Sequence, residues 1–124
     1  MQVLKTKGMI RFARRERISD SRLLEAIQRI ELGLIDADLG GGLIKQRVAR
    51  EGQGRSGGYR VIIGYRVAHR AVLLFGFAKN ERENIEPAEL ATLREAGSAW
   101  LSAMPKQIAK AIEDGVLQEI RSDE

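Results

Sequence analysis

Cysteine is absent from the 124-residue chain. That excludes disulfides, thiolate metal centres and a cysteine nucleophile, and it fits a reducing compartment. Histidine occurs once, at His69, between two strand-like stretches, where a solvated turn residue is expected and a histidine dyad or triad is not. Metal sites need clustered His, Cys or carboxylate ligands, and the sequence shows no such cluster, so neither metal nor cofactor is expected. No apolar run reaches the ~18 residues of a membrane-spanning helix. Met1 to Lys7 is too short and too polar for a secretory leader, so a cytoplasmic protein is expected. Gly40-Gly41-Gly42 and Gly52-Gln53-Gly54 lack the spacing of a phosphate-binding loop. Neither a repeat nor a low-complexity segment is present.

The composition that remains is that of an ordinary globular protein, 44% hydrophobic and 31% charged. Its length corresponds to one domain, 1–124, able to bury a substantial core. Net charge is +4, and its distribution is uneven. Residues 43–82 carry nine Lys/Arg against two Asp/Glu, a net +7, whereas residues 83–124 carry four against nine, a net −5. Positive charge concentrated in this way is the footprint of phosphate binding.

Residues 2–6 read as a short strand. Gly8 to Arg17 sets Met9, Ile10, Phe12 and Ala13 among four arginines, an amphipathic helix with a basic face. Ser19 or Asp20 can cap a second helix, whose apolar stripe runs Leu23, Ile27, Ile30, Leu34 and stops at Gly33. The pair resembles a helical hairpin covering one face of a sheet. Asp36 to Gly42 reads as a loop. From Leu43 to Ala49 the residues alternate, so that if Ile44 and Val48 face the core, Lys45 and Arg47 share the other face. Arg50 to Gly58 reads as a basic, glycine-rich hairpin connection. Tyr59 to Val67 alternates next, with Tyr59, Val61, Ile63 and Tyr65 on one side and Arg60, Ile62, Gly64 and Arg66 on the other. Ala68 to Arg70 is a tight turn, and Ala71 to Ala78 is a nearly all-apolar central strand. A helix follows from Pro87, which suits a first turn, with Leu90, Leu93, Gly97, Trp100 or Leu101, and Met104 at helical spacing. Pro105 starts or kinks a last helix, and Val116 to Ile120 is a final strand or tail. This order predicts an α+β fold with helices packed on a twisted antiparallel sheet, a three-stranded meander plus a short N-terminal strand.

The chemistry-bearing residues are then cations. Lys45 and Arg47 lie on one strand, Arg60 and Arg66 on the next, Arg55 between them, and Lys79 and Arg82 after the third. Cutting RNA through its 2′-hydroxyl requires that hydroxyl to lose a proton, charge on the non-bridging oxygens to be stabilised, and the leaving 5′-oxygen to gain a proton. Arginine forks suit the second task. Lysine, whose pKa closely spaced cations lower in general, can serve the other two. A basic sheet face can equally grip a nucleic acid without cutting it, or meet an acidic protein.

Three stretches carry a resemblance: Leu43-Ile44-Lys45-Gln46-Arg47, then Gly54 to Ile62 (GRSGGYRVI), then Phe75 to Ile85 (FGFAKNERENI). In order and spacing, over about residues 15–90, they resemble the RelE/HigB superfamily of toxins from bacterial toxin–antitoxin systems, in its HigB-like branch. The resemblance implies a RelE-like fold and a metal-independent endoribonuclease, an mRNA interferase acting often on the ribosome and leaving a 2′,3′-cyclic phosphate. It implies as partners mRNA, the ribosome and a cognate antitoxin that commonly carries a helix-turn-helix domain, with no membrane and no small-molecule cofactor. Carried over by position, it implies catalytic roles for Lys45, Arg47, Arg60, Lys79 and Arg82, with Arg60 on the phosphate and Lys45 or Lys79 moving protons. Arg14, Arg15, Arg17, Arg50 and Arg55 are expected to hold backbone phosphates. Many relatives place a further catalytic tyrosine or histidine near the C-terminus; the tail after Trp100 holds neither. The scaffold is shared with gyrase-poisoning, ParE-like toxins and with relatives that bind without cutting, two alternatives that the composition leaves open.

Overall fold

The computed structural model describes residues 1–50, 54–82 and 84–121, with side chains from residue 57 onward in the second stretch. The elements in chain order are β1 (Gln2–Thr6), α1 (Lys7–Glu16), α2 (Asp20–Glu31), β2 (Ala37–Gly40), β3 (Leu43–Arg50), β4 (Gly54–Arg66), β5 (Arg70–Ala78), α3 (Pro87–Ser102), α4 (Pro105–Glu113) and β6 (Leu117–Ile120). They build an α+β fold around one sheet of order β2-β3-β4-β5-β1-β6. Neighbouring strands are antiparallel except β1 and β5, which run parallel. No helix among the described residues is long and apolar enough to cross a membrane.

Strand alternation divides the apolar residues into two cores, one on each side of the sheet. On the first side Ile44, Val48, Tyr59, Val61, Ile63, Ala71 and Leu73 pack beneath Met9, Phe12 and Ala13 of α1 and Leu23, Ala26, Ile27 and Ile30 of α2. On the second side Leu4, Leu43, Ile62, Val72, Leu74 and Phe77 meet Leu101 of α3, Ile108 and Ala111 of α4, and Leu117. The helices form where their local chemistry allows. Thr6 caps α1 by accepting from the Met9 N–H, and Ser19 caps α2 by accepting from the Arg22 N–H. Past α2, Gly33 at φ +82° lets the Gly33 and Leu34 N–H groups return to the Ile30 and Arg29 carbonyls.

Helix α3 rides close on the sheet because glycine meets glycine there: a Cβ built on Gly64 would lie 3.4 Å from the Gly97 Cα. Its C-terminal carbonyls are satisfied from the sheet. Buried Arg70 donates to the Trp100 and Ala103 oxygens at 2.8 and 3.0 Å, and Arg66 donates to the Leu101 oxygen at 3.2 Å. Arg66 therefore serves the helix end and does not join the other cations, contrary to the expected cluster.

Other expectations change too. The predicted loop Asp36–Gly42 contains β2, paired with β3, because Asp36 is anchored in a way that lays the chain along the strand. The predicted connection Arg50–Gly58 is largely strand, since β4 already begins at Gly54 and glycine does not oppose extended backbone. Among the described residues the sheet has six strands, with β1 inserted between β5 and β6, so it is antiparallel only in part. Leu34 and Met104, predicted on apolar stripes, are 56% and 65% exposed, because each lies beyond the end of its helix.

One position tests this packing directly. A Cβ at Gly76 would meet the Phe12 ring at 2.5 Å, and Phe12 stacks edge-on against Tyr59 at 5.6 Å between centroids. Gly76→Ala is expected to lower stability by about 1–3 kcal/mol through overpacking, read as a shift of the urea midpoint. Phe12→Leu in the same background should restore part of the loss; an unchanged midpoint in the single variant would contradict the contact.

Candidate nucleic-acid interface

The site is built on the second side of the sheet, at the end that α3 leaves open. Along β3, Leu43 is buried beneath α3, Lys45 is half-buried and Arg47 is exposed. Pairing places Arg47 directly opposite Arg60 on β4, and Arg60 opposite Phe77 on β5; the next row reads Lys45, Ile62, Phe75. The alternation read from the sequence is thus the one observed. Asp36, Ala37, Lys45, Arg47 and Arg60 line a depression of about 240 Å³.

Asp36 organises this depression, and the sequence reading missed it. Its carboxylate accepts from both directions. Arg29 of α2 donates to its two oxygens at 3.0 and 2.9 Å, while the Arg47 guanidinium and backbone N–H donate at 3.0 and 2.7 Å. Its own N–H donates to Gln46 Oε1 at 2.9 Å, and Gln46, fully buried, sends its amide N–H groups to the Leu34 and Ala26 carbonyls. Burial pushes the Asp36 carboxyl up, but the hydrogen bonds from Arg47 and Arg29 outweigh it and hold the group below the ordinary carboxylate value. A glutamine at an inward-facing strand position, beside Ile44 and Val48, is the signal that could have revealed the network.

Arg60 is depressed from the usual arginine value first by burial and then by the Arg47 guanidinium beside it, with Asp36 opposing. Two cations directly opposite on paired strands repel, and an anion seated between them relieves that repulsion. Lys45 reaches Asn84 Oδ1 at 3.5 Å. Lys79 lies exposed one residue past β5, on the side of Phe77 if the strand's alternation continues.

Arg82 is placed differently from a bare phosphate ligand. Its guanidinium lies over the Phe75 and Phe77 rings at 5.9 and 5.7 Å, and both of its terminal nitrogens donate to the Glu89 carboxylate in the first turn of α3. The pair lowers the Glu89 pKa and raises that of Arg82, the hydrogen bond between them being the main cause in each case. Nε of Arg82 donates to the Asn84 carbonyl at 3.0 Å. Phe75, Phe77 and Glu89 were also missed by sequence reasoning, because an apolar strand and an acidic helix start are explained equally well by folding alone.

The expected phosphate-holding arginines are split up. Arg15, Arg17 and Arg50 gather with Arg22, Glu16 and Tyr59 around a second cavity of about 310 Å³, on the side of the sheet covered by α1 and α2. There Arg50 lies over the Tyr59 ring at 5.4 Å, and Arg22 is tied to the Ala49 carbonyl at 2.9 Å. Arg14 points elsewhere, beside Glu119 and Leu117 of β6. The Arg55 side chain lies outside the described residues. Tyr59 and Tyr65 belong to the first core, across the sheet from Arg60, so neither replaces the absent C-terminal tyrosine or histidine.

The family model described as RelE toxin of the RelE/RelB toxin–antitoxin system matches residues 1–120. No curated protein matches the chain.

The Asp36 network has a pH signature. A carboxyl held below its unfolded value contributes stability that is present above about pH 4 and is lost as pH falls through the folded pKa. Asp36→Asn is expected to cost about 2–3 kcal/mol at pH 7, and the gap between variant and wild type should close in acid. Urea titrations at pH 7 and pH 3 measure it; a gap that stays constant with pH would refute the assignment.

Proposed function

Since the chain belongs to the RelE toxin family of RelE/RelB toxin–antitoxin systems, we propose that it is the toxin of such a pair and acts as an mRNA interferase, a metal-independent endoribonuclease of the HigB-like branch. On this reading residues 1–124 are a single cytoplasmic toxin domain that works on mRNA in the ribosome and is silenced by an antitoxin with a helix-turn-helix domain. The observation that carries it is the gathering of Lys45, Arg47 and Arg60 around one open depression, with Arg82 over the neighbouring Phe75 and Phe77 rings.

The chemistry follows from that gathering. The 2′-oxygen of a ribose attacks the adjacent phosphorus, the bond from phosphorus to the 5′-oxygen breaks, and a 2′,3′-cyclic phosphate and a free 5′-hydroxyl result. Arg60 holds the non-bridging oxygens as their charge grows, and Arg47, fixed by Asp36, adds to the same field without moving. Lys45 or Lys79 accepts the 2′-proton or supplies one to the leaving oxygen. Arg82 borders the site on its aromatic bed. Arg15, Arg17 and Arg50, with Arg14 and Arg55, hold phosphates away from the cut. The position of Arg15, Arg17 and Arg50 on the opposite side of the sheet favours RNA that wraps the edge, or a second RNA, over one straight strand.

Induced expression in a bacterial host, with primer extension on abundant mRNAs, tests the reading. Wild type is expected to arrest growth and leave new in-frame mRNA ends. Arg60→Ala should reduce cleavage about 10²-fold or more at unchanged fold, and the Arg60→Ala/Lys79→Ala pair should abolish it. Arrest with intact mRNA and damaged DNA would replace this reading with a ParE-like, gyrase-directed toxin. Soluble protein without arrest would indicate a relative that binds and does not cut.

A further inference from the structure

The cations around the open depression are held by their own chain in two different ways. Arg47 is bound to Asp36, whose side chain is only 13% exposed and is also held by Arg29 and, through its backbone, by Gln46. Releasing Arg47 breaks a buried network. Arg82 is bound to Glu89 with both side chains partly exposed, 31% and 40%. Water reaches both partners and neither is tied into a buried network, so the pair, although bidentate, opens without disturbing the core. An RNA phosphodiester offers Arg82 the same two-pronged geometry and the same single negative charge as the carboxylate.

Glu89 is also held in place independently of Arg82. It is the third residue of the α3 capping box, where its carboxylate accepts from the Glu86 N–H at 3.1 Å. Arg82 rests on Phe75 and Phe77, in the strand rows that contain Lys45 and Arg60. Thus the carboxylate is fixed by the helix, the guanidinium lies at the rim of the basic depression, and the ion pair between them is more readily exchanged than the one between Arg47 and Asp36.

We infer that Glu89 is the resting counter-ion of Arg82, and that an RNA phosphate takes its place on Arg82 when substrate enters. Glu89 is a positioning residue: it does not touch RNA, and it sets how much positive charge the sheet offers before substrate arrives. The inference rests on the RNA-cutting reading and adds to it a competing carboxylate contributed by α3. No bond is made or broken in the exchange; one acceptor replaces another.

Glu89→Gln is the informative variant, because glutamine keeps the capping hydrogen bond and removes only the charge. The probe is a short, labelled, single-stranded oligoribonucleotide carrying 2′-O-methyl groups, which cannot be cut. Glu89→Gln is expected to bind it about two- to five-fold more tightly than wild type, the range by which an exposed pair competes. The slope of log affinity against log salt should be shared by wild type and variant, because Arg82 neutralises one phosphate in both complexes, and Arg82→Ala should lower it by about 0.7. In an Arg82→Ala background the same substitution should change neither quantity. The Glu89 carboxyl resonance of the wild-type protein should move toward that of an unpaired glutamate when the probe is added. Equal or weaker binding by Glu89→Gln, an equal gain in the Arg82→Ala background, or an unmoved Glu89 resonance in the bound state would each overturn the exchange. The Arg60→Ala protein separates the two levels of the argument: if it binds the probe as wild type does, the RNA reading of the sheet face fails; if it binds weakly while Glu89→Gln has no effect, only the exchange fails.

Discussion

Four hydrogen bonds converge on the Asp36 carboxylate, two from Arg29 on α2 and two from Arg47 on β3. Most of what is distinctive about the open side of the sheet depends on them. They draw the segment after α2 down onto β3, where Ala37 then pairs with Lys45 and a sixth strand is added at the edge. They also fix Arg47 so that its guanidinium stands beside Arg60 without being able to retreat. Such a carboxylate is stable only because its acceptor capacity is filled, since a partly buried charge with fewer partners is costly. Gln46 completes the arrangement from inside, satisfying the Asp36 N–H and the Leu34 and Ala26 carbonyls at once.

The remainder of the architecture places this corner in the open. Both sides of the sheet are apolar where helices cover them, and α3 is drawn onto β4 by the glycine contact at Gly64 and Gly97 and held by Arg66 and Arg70 at its C-terminal end. Its N-terminal end, where Glu89 lies, therefore comes to rest near the basic rows instead of over them. The same arginine type fills three roles within a few strands. It caps carbonyls at Arg66 and Arg70, forms part of a rigid acid-centred network at Arg29 and Arg47, and lies on aromatic rings in an exposed pair at Arg82. The neighbours decide which role each one has.

Charge segregation also has a structural meaning. The acidic last third of the chain does not merely point away from the basic middle. One of its carboxylates, Glu89, reaches the rim of the basic surface and occupies Arg82. Asp36, from the first third, does the same at the floor with Arg47. A count of charges along the chain overstates the positive field that an approaching polyanion meets, and the difference lies in how firmly each acid is held.

Local sequence pattern is enough to set the helices, the central strands and the alternation of side chains within β3 and within β4. Period-two alternation puts Lys45 and Arg47 on one side of β3 and sets Arg60 opposite in face to Tyr59 and Tyr65 on β4, and caps and glycines set where the first helices begin or end. The order of motifs along the chain was likewise legible as a family pattern. Only the tertiary structure decided which cations meet. Arg66 and Arg60 share a side of one strand, yet six residues of rise along it carry Arg66 to the end of α3. Arg15, Arg17 and Arg50 are distant in sequence, yet they converge on the reverse side of the sheet. Strand β2, the insertion of β1 between β5 and β6, and the acids that hold Arg47 and Arg82 depend on contacts between residues far apart in the chain. Local periodicity has no access to such contacts, because the free energy that selects them is gained only when the separate elements pack.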